Sequence, residues 1–195
     1  GSFYKKKHLG TFGTAGCISF NGNKIATSGG GGAVITNNKA LAKKIYHLTT
    51  TSKQKHKWEY LHDGIGYNHR MSNLSAALGL AQLENLNKFL KFKRKLYKKY
   101  DKAFKSYDKA RIFKEPKNSK SNYWLQTLIL DKKYSYLKNK ILKETNKNYI
   151  FTRPAWKLIS ELAPYKKNQK MLLPVAKEIY NRAINLPSSK RNYSK

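Results

Sequence analysis

The stretch Cys17-Ile-Ser-Phe-Asn-Gly-Asn-Lys24-Ile-Ala-Thr-Ser-Gly-Gly-Gly-Gly32-Ala-Val-Ile-Thr36 says more about this chain than any other. Cys17 to Phe20 and Ala33 to Thr36 are short apolar or β-branched runs, and both read as strands. Asn21-Gly22 between them is a strong two-residue hairpin signal. A hydroxyl at Ser19 and an amine at Lys24 stand five positions apart, ahead of four glycines. Two readings are open. In one, the segment is a β-hairpin with an exposed lysine just past its turn, an ordinary feature in a lysine-rich chain. In the other, Ser19 holds a phosphate while Lys24 holds a carbonyl carbon. The glycines suit both, because they permit positive φ and close backbone approach.

Composition narrows the field. The 195 residues suffice for one sizeable domain or two small ones. Hydrophobic content of 39% is low but compatible with a packed core. No run of 18 apolar residues exists, so no membrane span is expected. The N-terminal Gly1-Ser-Phe-Tyr-Lys-Lys-Lys7 lacks the apolar core of a signal peptide. Cys17 is the one cysteine, which excludes a disulfide framework and a cysteine zinc site. The histidines show no metal-ligand spacing, so no metal is expected. A cytoplasmic location is the default that follows.

The net charge of +31 raises the question of a polyanionic partner. Only six of the 41 basic residues are arginine, whereas nucleic-acid readers lean on arginine for bidentate contacts. The lysines are dispersed, and asparagine is abundant beside them. This pattern reads as solvated lysine faces imposed by an A/T-biased genome, and no nucleic-acid partner is expected. A lysine-rich module for nucleic acid or an anionic surface is the rival; its binding would fall steeply with salt.

Along the chain, Gly1 to Gly16 reads as loop. Lys39 to Leu48 carries Leu41, Ile45 and Leu48 at helical spacing. Thr49 to Leu61 reads as surface loop, and Asp63 to Met71 as a second glycine-marked loop. Ser72 is an N-cap candidate for a helical pattern of some 30 residues, from Leu74 to Phe104. That length implies a helix that bridges two lobes or bends. Its alanine-rich first half should be buried and its lysine-rich second half mostly exposed. Arg111 to Asn122 reads as a polar linker, Tyr123 to Leu130 as a strand and Tyr134 to Thr145 as a helix. Tyr149 to Thr152 reads as a strand stopped by Pro154. Met171 to Asn181 reads as a helix with Pro174 in its first turn, and Ala183 to Pro187 as a last strand. The second half thus reads as a small lobe of mixed strands and helices.

Four ordered segments carry a family likeness: Ser19-Phe20…Lys24…Gly29-Gly-Gly-Gly32…Val34-Ile-Thr36, Gly66-Tyr-Asn-His-Arg-Met71, Ala76-Ala-Leu-Gly-Leu-Ala-Gln-Leu83 and Asn185-Leu-Pro-Ser-Ser189. Together they resemble the DegT/DnrJ/EryC1/StrS family of pyridoxal phosphate-dependent sugar-nucleotide aminotransferases, over nearly the whole chain. Phe-Asn-Gly-Asn-Lys24, and Ser-Gly-Gly-Gly-Gly32 where many members have Gly-Glu-Gly-Gly, look most like the branch that makes 4-amino sugars of the bacillosamine or legionaminic type.

The resemblance implies an α/β fold of the fold-type I pyridoxal phosphate-dependent transferases: here the end of the large domain plus the small C-terminal α/β lobe. On that basis residues 1–71 form the C-terminal part of the cofactor-binding domain, 72–110 a long connecting helix and 111–195 the small domain, cut short at its end. Lys24 matches the lysine that joins the aldehyde of pyridoxal 5′-phosphate and moves the proton. Ser19 matches a phosphate-binding hydroxyl. Asn68 matches a residue that reaches the cofactor phosphate of the neighbouring subunit, so a homodimer with a shared active site is implied. His69 and Arg70 match positions that contact the sugar nucleotide or its phosphates, and Arg153, near Pro154-Ala-Trp156, could approach the substrate or shape the interface. Arg70 could instead pair with Asp63 or Glu84. The implied reaction moves an amino group, with glutamate as donor, to a nucleotide-linked 4-keto-6-deoxy sugar (a UDP-linked N-acetyl one being favoured) in bacterial surface glycan biosynthesis.

Members of the family are about twice as long. The absent half should hold the aromatic that stacks on the cofactor and the aspartate that pairs with its ring nitrogen, upstream of a segment like Gly1-Ser2-Phe3-Tyr4. The sequence is therefore expected to be a fragment that is inactive alone. A family member acting as a dehydratase or regulator is the other rival, and Lys24 argues against the dehydratase form, in which histidine replaces it.

Overall fold

The computed structural model describes residues 1–189 as two compact units. The first comprises residues 1–90 and 116–122, the second 91–115 and, of the described residues, 123–189. No described helix is long and apolar enough to cross a membrane.

In the first unit, strands β1 (Phe3–Tyr4) and β2 (Lys7–His8) form a small hairpin, where the glycine-rich opening reads as loop. Lys5 and Lys6 take positive φ at its tip, a tight reversal that the glycine count does not announce. Strands β3 (Gly16–Ser19) and β4 (Gly32–Ile35) pair antiparallel in the register Gly16↔Ile35 to Ser19↔Gly32. Helix α1 (Lys39–Thr49) follows; the Asn38 side chain caps it by accepting the Leu41 N–H at 3.0 Å.

The 30-residue helical pattern resolves into α2 (Asn73–Glu84) and α3 (Leu86–Phe104), broken at Asn85. The Asn85 side-chain amide donates to the Ala81 carbonyl at 2.9 Å, taking an acceptor that continuing helix would use. Ser72 is the N-cap of α2, accepting the Ser75 N–H at 3.2 Å. The expected burial of α2 is corrected. Only Gly79 is buried, and Leu74, Leu78, Leu80 and Leu83 are 86%, 46%, 61% and 44% exposed. Its leucines and alanines are spread around the whole circumference, so one supporting neighbour cannot cover them. Helix α3 instead has one apolar stripe and a lysine-rich face, and Tyr97 is buried.

The second unit is built on an antiparallel sheet ordered β5-β7-β9-β8: β5 (Ala110–Ile112), β7 (Gln126–Leu130), β8 (Arg153–Pro154) and β9 (Ala183–Leu186). The stretch read as a polar linker contributes β5 here and, in the first unit, β6 (Ser119–Lys120), which pairs with β1. Central strand β7 is buried on both faces at Leu128, Ile129 and Leu130. Tyr97, Ala110, Ile112, Tyr123 and Ile184 complete the core, with Tyr100 and Phe104 of α3 and Ile141 and Leu142 of α4 (Lys138–Lys147) packed on it. Burial pushes the Tyr97 hydroxyl up to about 12. Helix α5 (Pro174–Arg182) starts on its proline, about three residues later than the expected start at Met171, because proline suits the first helical position. The expected strand at 149–152 is absent. Tyr149, at φ +59, wraps the end of α4, and the Ile150 N–H returns to the Thr145 carbonyl at 2.8 Å. Pairing begins only at Arg153.

Candidate active site

Strands β3 and β4 do not close through a two-residue turn at Asn21-Gly22. Their last pair is Ser19↔Gly32, and residues 20–31 form a wide connection between them. Buried Ala26 and Ser28 explain the difference: the chain after the turn packs into the unit instead of extending the ladder. Asn21-Gly22 still turns the chain. The Lys24 N–H donates to the Asn21 carbonyl at 2.9 Å, and the Gly22 N–H to Asn21 Oδ1 at 2.9 Å. Lys24, half-buried, sits where this turn ends. Exposed Ser19 stands at the turn's entrance, its Oγ accepting the Asn21 N–H at 3.4 Å.

The base of the connection is laced shut around one carbonyl. Phe20 C=O accepts both Thr27 Oγ1–H at 2.9 Å and the Ser28 N–H at 3.1 Å, while the Phe20 N–H donates to the Gly31 carbonyl at 3.0 Å. Thr27 Oγ1 also accepts the Gly29 N–H at 2.9 Å. Gly31 adopts φ +74, open to glycine at little cost. Met71 Cε stands 3.4 Å from where a Cβ on Gly31 would be, and Gly79 of α2 faces the Ser28 Cβ at the equivalent distance of 3.3 Å. The lysine connection therefore rests on Met71 and α2.

The Gly66–Met71 segment is sewn to the end of α1. The Tyr67 N–H donates to Leu48 C=O at 2.7 Å, the His69 N–H to Thr49 C=O at 3.1 Å, and the Thr51 N–H to Tyr67 C=O at 3.1 Å. Thr50 and Asn68 form an antiparallel bridge. A Cβ on Gly66 would fall 2.3 Å from Ser52 N, so only glycine fits. Thr51 and Ser52 hold φ of +64 and +50, a conformation that costs about 1 kcal/mol per non-glycine residue. Such strained backbone gathers at functional segments.

Asn68, His69 and Arg70 are exposed at this place. The His69 ring stacks on Tyr67 with centroids 5.3 Å apart, and the Arg70 guanidinium lies 4.6 Å from the Tyr46 ring centre. Arg70 thus uses an aromatic partner rather than Asp63 or Glu84. Asp63 pairs with His47 at 2.6 Å, and that hydrogen bond holds its carboxyl below the usual carboxylate range. Arg153 lies in the second unit, exposed, donating to Asn146 Oδ1 at 2.7 Å and to Thr152 C=O at 2.9 Å.

The structure therefore sets Ser19 at the end of β3, Lys24 in the connection that follows, and joins that connection, through Met71 against Gly31, to the segment bearing Asn68, His69 and Arg70. Sequence reasoning missed Thr27, Ser28, Met71 and Gly79. A Thr-Ser pair just before glycine marks a side-chain-closed turn and could have drawn notice to Thr27. It also missed Lys93, whose amine donates to Trp124 C=O at 3.2 Å, Ser188 C=O at 2.6 Å and Ser188 Oγ at 2.9 Å, fixing the Leu-Pro-Ser segment after β9. Burial lowers the affinity of that amine for its proton.

The model of the DegT/DnrJ/EryC1/StrS aminotransferase family matches residues 1–192. A GDP-perosamine synthase of Escherichia coli O157:H7 is 37% identical over 189 residues, covering 96% of this chain and 50% of that protein. A UDP-4-amino-4,6-dideoxy-N-acetyl-beta-L-altrosamine transaminase of Campylobacter jejuni is 29% identical over the same share of this chain and 50% of its own. Among solved structures, Helicobacter pylori PseC, an aminotransferase involved in the biosynthesis of pseudoaminic acid, superimposes with a TM-score of 0.89 at 28% identity, covering 95% of this chain and 51% of PseC. The chain spans about half the length of the curated relatives it matches.

Proposed function

The chain belongs to the DegT/DnrJ/EryC1/StrS aminotransferase family, and we propose that it carries the cofactor-binding lysine of a pyridoxal phosphate-dependent sugar-nucleotide aminotransferase. The reaction proposed is transfer of an amino group from glutamate to C4 of a nucleotide-linked 4-keto-6-deoxy sugar. The observation that carries the reading is the placement of Lys24: it ends a turn in a connection closed at its base, with the Ser19 hydroxyl beside that turn and Asn68 to Arg70 on the supporting segment. The 4-amino-4,6-dideoxy sugar named for the Campylobacter relative supports the position aminated.

The donor set fits pyridoxal phosphate. A primary amine, a hydroxyl and a carboxamide are present, and Ser19 and Asn68 are exposed to receive phosphate oxygens. When bound, the cofactor supplies a conjugated ring that takes up the electron pair left when a carbon next to the amino nitrogen loses its proton. Lys24 contributes a nucleophilic nitrogen that holds the cofactor aldehyde, then acts as the base that takes that proton and the acid that returns it. The Ser19 hydroxyl would donate a hydrogen bond to a phosphate oxygen of the bound cofactor. Asn68 donates its amide to the phosphate of a neighbouring subunit, which makes the working enzyme a homodimer. Arg70 offers a planar guanidinium group to the diphosphate of the substrate, and His69 a ring nitrogen to the sugar. The proposed functional layout is a lysine-bearing part over residues 1–71, connecting helices after it and a small domain from 111 onward, with the exception that residues 116–122 pack in the first unit.

The test is borohydride reduction of the full-length protein with pyridoxal phosphate, followed by peptide mass mapping. The adduct is expected on Lys24 and is expected to vanish in Lys24→Ala. An adduct that maps to another lysine in the unsubstituted protein overturns the assignment.

A further inference from the structure

Helix α3 carries a charged face that the transferase reading does not use. Lys91, Lys95, Lys98, Lys99 and Lys102 are all exposed. At 3.6 residues per turn their spacing places them within about 100° of the helix circumference, along about 16 Å of its length. The same helix turns Tyr97, Tyr100 and Phe104 toward the core, so its apolar side is already occupied. Asp101, the one acidic residue of α3, lies about 100° away from the centre of the lysine face. No ion pair among the described residues reaches these five lysines: Glu115 is taken by Arg94, Glu178 by Lys132 and Arg182, and Asp63 by His47. Helix surfaces commonly set a carboxylate four residues from each lysine, and this face has none.

We propose that this face is an adsorption site for an anionic lipid surface. A band of ammonium groups on one helix side can face a plane of negative headgroups, where each lysine near the surface strengthens binding roughly fivefold. Duplex readers rely on arginine forks, and single-strand binders interleave aromatic platforms with their charges; the exposed positions of this stripe hold neither. With the apolar side packed inward, attachment is electrostatic and reversible, without insertion.

The experiment is co-sedimentation of the full chain with phosphatidylglycerol/phosphatidylcholine vesicles, with phosphatidylcholine vesicles and poly(U) in parallel. Two variants of equal net charge are compared. One replaces Lys91, Lys95, Lys98, Lys99 and Lys102 with Gln. The other replaces Lys43, Lys44, Lys133, Lys143 and Lys147, all exposed and on other elements. The α3 variant should lose binding to anionic vesicles more than a hundredfold, and the control less than tenfold. Equal losses would assign the binding to net charge alone and overturn the proposal. So would absent vesicle binding by the unsubstituted chain, or poly(U) binding that is the tighter of the two and carries the α3-specific loss. Glutamine is a good helix former, and an unchanged far-ultraviolet dichroism spectrum shows that α3 persists. Trapping of pyridoxal phosphate on Lys24 is read separately and should be the same in both variants.

Discussion

Replacing Thr27 with Val tests whether the lysine connection is a braced platform or a loose loop. Thr27 Oγ1 makes two bonds, donating to Phe20 C=O and accepting from the Gly29 N–H, both at 2.9 Å. Valine keeps the branched shape and deletes both. Phe20 C=O retains the Ser28 N–H at 3.1 Å, and Gly29 is exposed, so neither freed partner is orphaned away from water. The cost is therefore two net hydrogen bonds, not a desolvation penalty. At about 0.5–1.5 kcal/mol each, with hydration available to Gly29, the sum sits near the lower end, about 1.5 kcal/mol. That amount makes local opening about tenfold more frequent. Hydrogen exchange of the full-length protein reads it directly. The Phe20 and Ser28 amides, which close the base of the connection, should exchange about tenfold faster, while the Cys17 and Val34 region of the β3–β4 ladder changes less than twofold. Unchanged exchange at Phe20 and Ser28 would show that Thr27 does not hold the connection. A uniform rise through the ladder would show that the substitution acts on the whole unit, and would equally refute the reasoning.

Two further outcomes follow from the neighbouring segment. Gly66→Ala sets a methyl 2.3 Å from backbone atoms of Thr51 and Ser52, which cannot rotate aside; the loss should reach about 3 kcal/mol or more in a denaturant titration, at the upper end of single-substitution effects, and a change under 1 kcal/mol would mean that the 51–52 turn relocates freely. Asp63, held below its usual range by the His47 hydrogen bond, contributes fully above the ordinary carboxylate range and loses that contribution as pH falls through its lowered folded value. Exchange of the Gln54 and Asp63 amides should accelerate across that acid window in the unsubstituted protein, and Asp63→Asn should abolish the acid step; persistence of the step in the variant would assign it to another group.

Local chemistry was the most legible part of this sequence. Ser72 caps α2 because a short polar side chain before an apolar-periodic run can satisfy an otherwise unpaired helix N–H. Strands β3, β4, β7 and β9 follow from their apolar runs, and Pro174 opens α5. Ser19 and Lys24 drew attention by likeness, since their spacing alone suits an ordinary hairpin as well, and the structure sets Ser19 at the end of β3 and Lys24 in the connection that follows. The width of that connection was not legible, because it depends on Thr27 and Ser28 returning to a carbonyl seven or eight residues earlier. The same holds for the 66–71 segment, whose backbone bonds to Leu48 and Thr49 join residues about 20 apart. Asn21-Gly22 misled for an instructive reason. The dipeptide specifies a turn, but burial of Ala26 and Ser28 decides where the ladder resumes.

The disagreement at α2 carries a physical consequence. A helix apolar around its whole circumference is one that works buried, so the sequence reported the surroundings α2 requires rather than those within these residues. Covering the exposed parts of Leu74, Leu78, Leu80 and Leu83 would stabilise the structure by on the order of 5 kcal/mol. The matched relatives carry about as much chain again outside the shared segment. Gly79, on this same helix, faces Ser28 and so supports the connection that bears Lys24. Whatever covers the leucines of α2 therefore also stiffens the floor beneath Lys24. Placement of Lys24 and burial of α2 are one physical problem, and the chemistry proposed for the lysine should fail whenever that cover is lost.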